Sequence, residues 1–496
     1  MMEKIQWEGF FVKKLLSLLM ALCMLLTLAA CGSSEGASDE TEGGAAEAVF
    51  KAGFGVRNIT PKDSVPMASY GDARDRWSTG MYSELEARCV AVQDAEGNLL
   101  LFIVGDLSWC PNALGKRIRT ELNKELGIPE ENIILSGTHT HASVDTSLTE
   151  FASVPAYNTR YVDGMKGAAH DAVADLKPAE VYVGSVMTEG MNYVRRYFMD
   201  DGSLDGDNAY GTGTVRVAHE TEADGELQLM KFVREGGKDI LIAQFQAHPH
   251  LEGKTNNISA QTVGATRDAV EAGMDVHCLG WNGAAGNLNS RGSLEGEKLF
   301  ENSNKGRIAY GEKMYSYIKS VYDDLTKVNT GTIQVQEMTL SAPTNHMYDH
   351  MTTQANDVVN YFKDGHTASE TATYAHQYKD ENGLRINSYF HASRIMANSK
   401  LSATQDMVLA AWSFGDVGGV VLPYELFDVS GMQMKEQSPF ARTFIVGYSY
   451  PSYCGYIPTE EGYANGGYEA DNSTFAPGTA ELMVENYLDM LNDMHG

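Results

Sequence analysis

The chain has 496 residues, and its 66 acidic and 38 basic side chains give a formal net charge of −28 at pH 7. This acidic balance argues against nucleic acid as a partner, because a phosphate backbone is bound by clustered lysine and arginine. The length allows a large hydrophobic core in one domain or two. After residue 30 no apolar run is long enough to predict a transmembrane helix.

The first thirty residues indicate an export signal. Lys13 and Lys14 form a short basic region, and residues 15–30 form an uncharged apolar run that is short for a membrane-spanning helix. The run ends in Leu-Ala-Ala followed by Cys31, which is the pattern of a lipobox. We therefore predict a lipoprotein signal peptide over residues 1–30 and lipidation of Cys31. The alternative is an ordinary signal peptide or an uncleaved anchor.

Residues 31–48 are small, polar and acidic. Such a segment buries too little apolar surface to offset its ordering entropy, so it predicts a flexible acidic tether. Together, the lipid anchor and the tether predict a bacterial lipoprotein on the extracellular face of the cell membrane. The membrane is thus an expected partner, reached through the N-terminal anchor.

Residues 49–496 predict a single large α/β domain, because strand and helix patterns alternate along the chain. Residues 88–107 predict a β-hairpin around a polar turn. The other predicted strands are 132–136, 181–183, 239–247, 275–280 and 406–423, and the predicted helices are 113–126, 159–176, a helix near 263–273 and most of 350–400. We expect mixed sheet layers with flanking helices and a ligand site beyond the carboxyl ends of strands.

Four cysteines lie in this domain: Cys89, Cys110, Cys278 and Cys454. Their wide spacing, with no CxxC pair, is not that of a zinc finger. A disulfide and four buried thiols both remain open at this point.

Histidines follow two of the predicted strands. His139 and His141 come after strand 132–136, and His248 and His250 come after strand 239–247. Residues i and i+2 of an extended chain point the same way, so His139 and His141 can face one site. Catalytic zinc takes about three protein ligands and keeps one open position. The pattern therefore predicts a zinc site, with hydrogen-bonded histidines as the alternative. Asp106, at another strand end, is either a carboxylate that orients a histidine or a cap.

Six segments, in order, resemble the N-terminal catalytic domain of the neutral/alkaline non-lysosomal ceramidase family. Each segment is similar to a short motif of that family, and together they span most of the domain. They are residues 55–61 (GVRNITP), 136–141 (SGTHTH), 192–196 (NYVRR), 245–248 (FQAH), 422–427 (LPYELF) and 455–459 (GYIPT), the last followed by Tyr468 and Glu469.

The resemblance implies a zinc ion held by His139, His248, Glu425 and Tyr456. It also places three further residues against the substrate or its carbonyl group: His141, Arg195 and Tyr468. In this scheme a zinc-bound hydroxide attacks a carbonyl carbon. Arg195 and Tyr468 stabilise the developing oxyanion, and His141 is the acid for the leaving amine.

The sequence departs from the family mainly on the substrate side. Asn289 occupies the position of a family serine, so that serine's role is not carried over, and Asn289 is expected to bind substrate or water instead. Tyr424 replaces a glycine, and Pro249 and His250 replace the Gly-Thr that follows the second histidine. The family's Ig-like C-terminal domain is expected to be absent.

These observations predict a zinc-dependent amidohydrolase that cleaves an N-acyl amide bond in ceramide or another amide. Its substrate would be a lipid or a small molecule, which places it in sphingolipid or related lipid metabolism. One alternative is a hydrolase of an ester, a glycan-linked acyl group or a cell-wall amide on the same scaffold. Another is a surface-binding lipoprotein without catalytic activity.

Overall fold

The computed structural model describes residues 49–206, 213–451 and 455–496. The predicted signal peptide, the tether, Cys31 and Cys454 lie outside these residues and stay predictions. Within the described ranges, no helix combines the length and the apolar character that crossing a membrane requires.

Twelve strands have five or more residues: β1 (Lys51–Asn58), β2 (Glu86–Gln93), β3 (Leu99–Gly105), β4 (Ile133–Gly137), β5 (Lys177–Met187), β6 (Glu226–Arg234), β7 (Asp239–Phe245), β8 (Val276–Asn282), β9 (Ile333–Pro343), β10 (Thr404–Phe414), β11 (Val417–Val421) and β12 (Arg442–Val446). Shorter strands of two to four residues are Gly80–Met81, Tyr193–Val194, Tyr197–Met199, Leu204–Asp205, Arg216–His219, Asn257–Ile258, Leu288–Asn289, Thr326–Lys327, Glu425–Leu426 and Tyr456–Ile457.

The α-helices are α1 (Asn112–Leu126), α2 (Ser153–Ala174), α3 (Gln261–Gly273), α4 (Asn304–Val321), α5 (Thr352–Lys363), α6 (Ala368–Ala375), α7 (Tyr389–Asn398), α8 (Asp428–Gln437), α9 (Glu460–Asn465), α10 (Tyr468–Asp471) and α11 (Thr479–His495). Single 3-10 turns lie at Ala73–Asp75, Glu130–Asn132 and Asp349–Met351.

The largest sheet is mixed and has nine strands, in the order β8-β7-β6-β5-β1-β2-β3-β4, with the short strand Thr326–Lys327 paired to β5. Its outer pairs β7–β8 and β3–β4 are parallel, and the inner pairs are antiparallel. A second mixed sheet has the order β9-β10-β11-β12. The predicted fold class, an α/β protein with mixed sheet layers and flanking helices in a single large domain, is confirmed.

Local sequence explains the elements at the centre of the large sheet. The predicted hairpin forms between β2 and β3, where the Asp94 carboxylate accepts the backbone N–H of Asn98 at 2.8 Å. Helix α2 lies directly on β1 because two glycines there remove side-chain bulk. A Cβ at Gly53 or at Gly55 would lie 2.0 Å from a carbonyl oxygen of α2, so alanine would not fit.

One hydrophobic core joins the two sheets. It contains strand residues from both outer regions of the large sheet together with residues of the second sheet, among them Phe102, Trp281, Trp412, Phe414 and Phe444. Burial of these large side chains holds the carboxyl ends of β4, β7, β8, β11 and β12 near one another. This packing determines where the candidate site lies.

A helical segment interrupts the second sheet. Strands β9 and β10 pair antiparallel over their whole length, from Ile333–Phe414 to Pro343–Thr404, and residues 344–403 form the connection. That connection carries α5, α6 and α7 around its own apolar cluster, which includes Val358, Ile386 and Ile395. The prediction of a largely helical stretch over 350–400 is confirmed.

The structure corrects one predicted strand and decides between the alternatives left open for three cysteines and for Asp106. The strand predicted over 406–423 is two strands, β10 and β11, because Gly415 turns the chain with a φ of 57°. Cys89, Cys110 and Cys278 are free and buried, so for these three the buried-thiol alternative holds. Asp106 does not orient a histidine: it pairs with Arg267 at 2.8 and 2.9 Å.

Candidate active site

The site is built from loops that leave five strand ends. Backbone hydrogen bonds hold these loops together: Gly137 N–H donates to Tyr448 O at 3.1 Å, and His248 N–H donates to Leu288 O at 3.0 Å. Gly286 N–H donates to Leu426 O at 2.8 Å. Backbone hydrogen bonds therefore join segments that are far apart in the chain around the histidines.

The His139 ring is fixed through its Nδ1 atom. Nδ1 lies 2.7 Å from the carbonyl oxygen of Ser108, and a carbonyl can only accept, so Nδ1 carries the proton. The lone pair of His139 is therefore on Nε2. Burial lowers the pKa of His139 to about 3, which keeps the ring neutral.

His248 is held in the same way. Its Nδ1 lies 2.9 Å from Ala285 O and 3.0 Å from Leu288 O, so its lone pair is also on Nε2. The ring is fully buried, and burial lowers its pKa well below the ordinary value. Such backbone contacts to the far ring nitrogen are typical of histidines that bind metal ions.

Glu425 brings a carboxylate to these two lone pairs. Its Oε2 lies 3.1 Å from Nε2 of His248 and 3.5 Å from Nε2 of His139. Among the residues that the structure describes, neither His248 Nε2 nor Glu425 Oε2 has a hydrogen-bond partner, although both atoms are buried. Facing acceptors repel one another, and a cation between them removes the repulsion. The donor set therefore fits a metal ion.

Tyr456 completes the predicted ligand set. Glu425 and Tyr456 are paired in a short parallel ladder, and the Tyr456 hydroxyl hydrogen-bonds to the Glu425 carboxylate. Burial raises the pKa of both groups. Gly286 lies behind Glu425, where a Cβ would be 2.4 Å from the Glu425 carbonyl oxygen, so the close approach requires glycine.

His141 also faces the Nε2 atom of His139. Its Nε2 is 3.2 Å from His139 Nε2, and the ligand atoms of His139, His141 and His248 all lie within 4.8 Å of one another. A three-histidine ligand set is therefore an alternative to the predicted one. Burial lowers the pKa of His141 well below its ordinary value, so the ring is neutral at neutral pH.

Arg195 belongs to a buried charge network. Its Nε donates to Glu469 at 2.8 Å, and its Nη2 donates to the carbonyl oxygen of Gly286 at 2.9 Å. Arg196 donates to the other Glu469 oxygen at 3.0 Å. The guanidinium of Arg195 lies 5.3 Å from the centre of the Tyr456 ring, so its charge is next to the predicted ligands.

Tyr468 and Asn289 each contact one of the predicted metal ligands. Tyr468 begins α10 and packs edge-on against Tyr456, with ring centres 5.6 Å apart, and against Phe390 of the helical segment at 6.0 Å. Asn289 forms a parallel β-bridge with His248. All eight predicted site residues of the described region therefore lie in this neighbourhood.

Sequence reasoning missed Tyr448 and the role of Glu469. Tyr448 stacks on His139 with ring centres 3.8 Å apart, and its buried hydroxyl makes no hydrogen bond within the described region. His139 and Tyr448 have φ values of 63° and 54°, which are unusual for residues other than glycine and are concentrated at functional sites. The apolar residues 444–446 shortly before Tyr448 are the one sequence signal that could have pointed to it.

Comparisons with known proteins identify the family that part of this chain resembles. Residues 50–290 match the family described as neutral/alkaline non-lysosomal ceramidase, N-terminal. Neutral ceramidase 3 of Arabidopsis thaliana is 24% identical over 193 residues, which is 36% of this chain and 25% of that protein. The match thus spans about a quarter of the length of this relative.

Solved structures agree over a larger region. The neutral ceramidase of Pseudomonas aeruginosa superposes with a TM-score of 0.68 at 16% identity, over 90% of this chain and 74% of that chain. A ceramidase complexed with C2 gives a TM-score of 0.67 at 17% identity, over 90% and 75%. The resemblance predicted from the six motifs is therefore confirmed: residues 50–290 match the N-terminal region of the neutral/alkaline non-lysosomal ceramidase family, and the fold is similar to that of solved neutral ceramidases.

Proposed function

We propose that the protein is a zinc-dependent amidase that hydrolyses an N-acyl amide, with ceramide-like lipids as the first substrates to test. The observation that carries the proposal is the convergence of Nε2 of His139, Nε2 of His248 and the Glu425 carboxylate, which are buried and face one another. The family match supports amide hydrolysis. A lipid substrate also agrees with the predicted anchor at Cys31.

His139, His248, Glu425 and Tyr456 would hold the metal ion, and His141 and Asn289 lie beside these ligands, within reach of a bound substrate. Zinc, when bound, lowers the pKa of a coordinated water from 15.7 to about 7 and so supplies a nucleophile at neutral pH. Two imidazoles, a carboxylate and a phenol are oxygen and nitrogen donors that suit zinc.

The remaining residues handle protons and charge. His141 is neutral, so it can first act as a base and take the proton of the attacking water. It can then act as an acid and pass this proton to the leaving amine. The Tyr468 hydroxyl and the buried positive charge of Arg195 stabilise the oxyanion that forms on the carbonyl. Glu469 keeps the Arg195 guanidinium in place at 2.8 Å.

The proposal is tested with purified protein and N-lauroyl-sphingosine. We expect release of laurate, loss of this activity after chelation and dialysis, and recovery on addition of one equivalent of zinc but not of magnesium, which prefers oxygen ligands. The esterified analogue of the same acyl chain serves as the comparison. Activity that survives complete removal of metal would contradict the proposal, as would hydrolysis of the ester alone.

A further inference from the structure

A cavity of about 370 Å³ lies against the histidine side of the site. His250 lines it and stacks on His141, with ring centres 5.0 Å apart and planes 22° from parallel. Asn289, which is bridged to His248, and Tyr70, which packs edge-on against His141, also line it. A group bound in this cavity would therefore be separated from His141 only by the ring of His250.

The lining is polar and cationic. Two basic side chains, Arg291 and Lys298, line the cavity, and none of its lining residues is acidic. The absence of acids is notable in a chain with a net charge of −28. Within the described ranges, neither Arg291 nor Lys298 has an ion-pair partner, and the buried Nε of Arg291 makes no hydrogen bond.

Two carboxylates next to the cavity lining form ion pairs with other residues. Glu252 pairs with Arg307 at 3.0 Å, and Glu297 pairs with His219 at 2.7 Å. Within the described ranges, neither carboxylate forms an ion pair with Arg291. An alkyl chain in this cavity would desolvate a guanidinium, hydroxyls and amides without replacing their hydrogen bonds, which is unfavourable.

We propose that this cavity is a subsite for an anionic group of the substrate, with a carboxylate as its chemical class. Arg291 offers a planar pair of donors that matches a carboxylate, and the polar side chains around it supply further hydrogen bonds. The preferred substrate is then an N-acyl amide with a carboxylate near the scissile bond, such as an N-acyl amino acid. This inference rests on the proposed amidase activity and specifies its substrate.

The test compares N-lauroylglycine with N-lauroylethanolamine, which share an acyl chain and differ in the charge of a two-carbon amine part. We expect kcat/KM to favour N-lauroylglycine by about 10-fold or more, since hydrogen bonds to charged groups are stronger than neutral ones. Arg291→Gln should lower this ratio about 10-fold, and Lys298→Met should lower it less because its side chain is exposed. Lys305→Met, which removes an exposed lysine paired with Glu301, is the control and should leave the ratio unchanged.

A preference for the ethanolamide overturns the inference, as does an Arg291→Gln protein with an unchanged ratio. Calorimetric binding of both amides to His139→Ala separates this outcome from failure of the proposed activity, because binding needs no turnover. There we expect tighter binding of N-lauroylglycine and about 10-fold weaker binding after the additional Arg291→Gln substitution. Equal affinity for the two amides would count against the subsite even if neither is hydrolysed.

Discussion

His248→Ala is expected to remove the metal ion and with it the amidase activity. His248 presents a lone pair to Glu425 Oε2 at 3.1 Å from a fully buried position, nearer than His139 at 3.5 Å. Loss of an outer-shell partner of a metal ligand costs roughly 10–100-fold in affinity, and loss of a ligand itself should cost more. Zinc content after dialysis and the rate of amide hydrolysis measure the two effects.

Two further histidine variants are compared with His248→Ala: one is a control, and the other distinguishes the two possible ligand sets. His170→Ala removes a half-exposed imidazole that pairs with Glu125 and should keep both metal and activity. His141→Ala should lose activity while it keeps zinc, because His141 is assigned to proton transfer. If His141→Ala loses zinc as completely as His248→Ala does, the three-histidine ligand set replaces the one proposed above.

Glu469→Gln is expected to destabilise the protein severely. Glu469 is fully buried between Arg195 and Arg196, at 2.8 and 3.0 Å. Removal of one partner from a buried ion pair leaves an uncompensated charge and typically costs about 3–5 kcal/mol. The variant should also release Arg195 from its position beside Tyr456 and lower kcat. Denaturant unfolding and steady-state kinetics measure the two consequences.

The effect of Glu469→Gln should depend on pH. Burial alone would raise the pKa of Glu469, but Arg195 and Arg196 hold it below the ordinary value of 4.5. The ion pair therefore stabilises the folded state fully above pH 4.5, and this stabilisation is lost as the pH falls through the lowered pKa. The difference from the unsubstituted protein should be full at pH 7 and shrink in acid. Glu180→Gln, which removes an exposed ion pair with Lys327, is the control and should change the free energy of unfolding little. A loss of stability as large as that of Glu469→Gln would contradict the role given to the buried Arg195–Glu469–Arg196 network.

The two histidine ligands could be predicted from the local sequence, because each follows a strand with a recognisable apolar pattern. His139 and His248 each follow a short apolar strand, and residues at strand ends meet at one edge of a sheet. Glu425 and Tyr456 lie in two-residue strands without a local pattern, so only the family resemblance identified them. The family pattern also places Asn289, but its bridge to His248 is a tertiary contact.

What could not be predicted is mostly long-range pairing. Arg195 and Glu469 are 274 residues apart, and no periodicity or spacing links them. Strand β9 was not predicted because its apolar alternation changes phase between Val335 and Met338, and the helical segment that follows it separates it from its partner β10 by 60 residues. Two supports of the site are backbone carbonyls, those of Ser108 and Ala285, and their role depends on loop conformation rather than on side-chain type.

The central claim is a metal ion held by two histidines and Glu425, and anomalous X-ray scattering at the zinc edge on crystals of zinc-replete protein tests it most directly. The account predicts one zinc peak per chain between Nε2 of His139, Nε2 of His248 and the Glu425 carboxylate, where these buried groups face one another. Tyr456 should contact the same ion from the adjoining short strand. A crystal without a zinc peak at this position, or a peak bound by His141 with Glu425 uncoordinated, would contradict it.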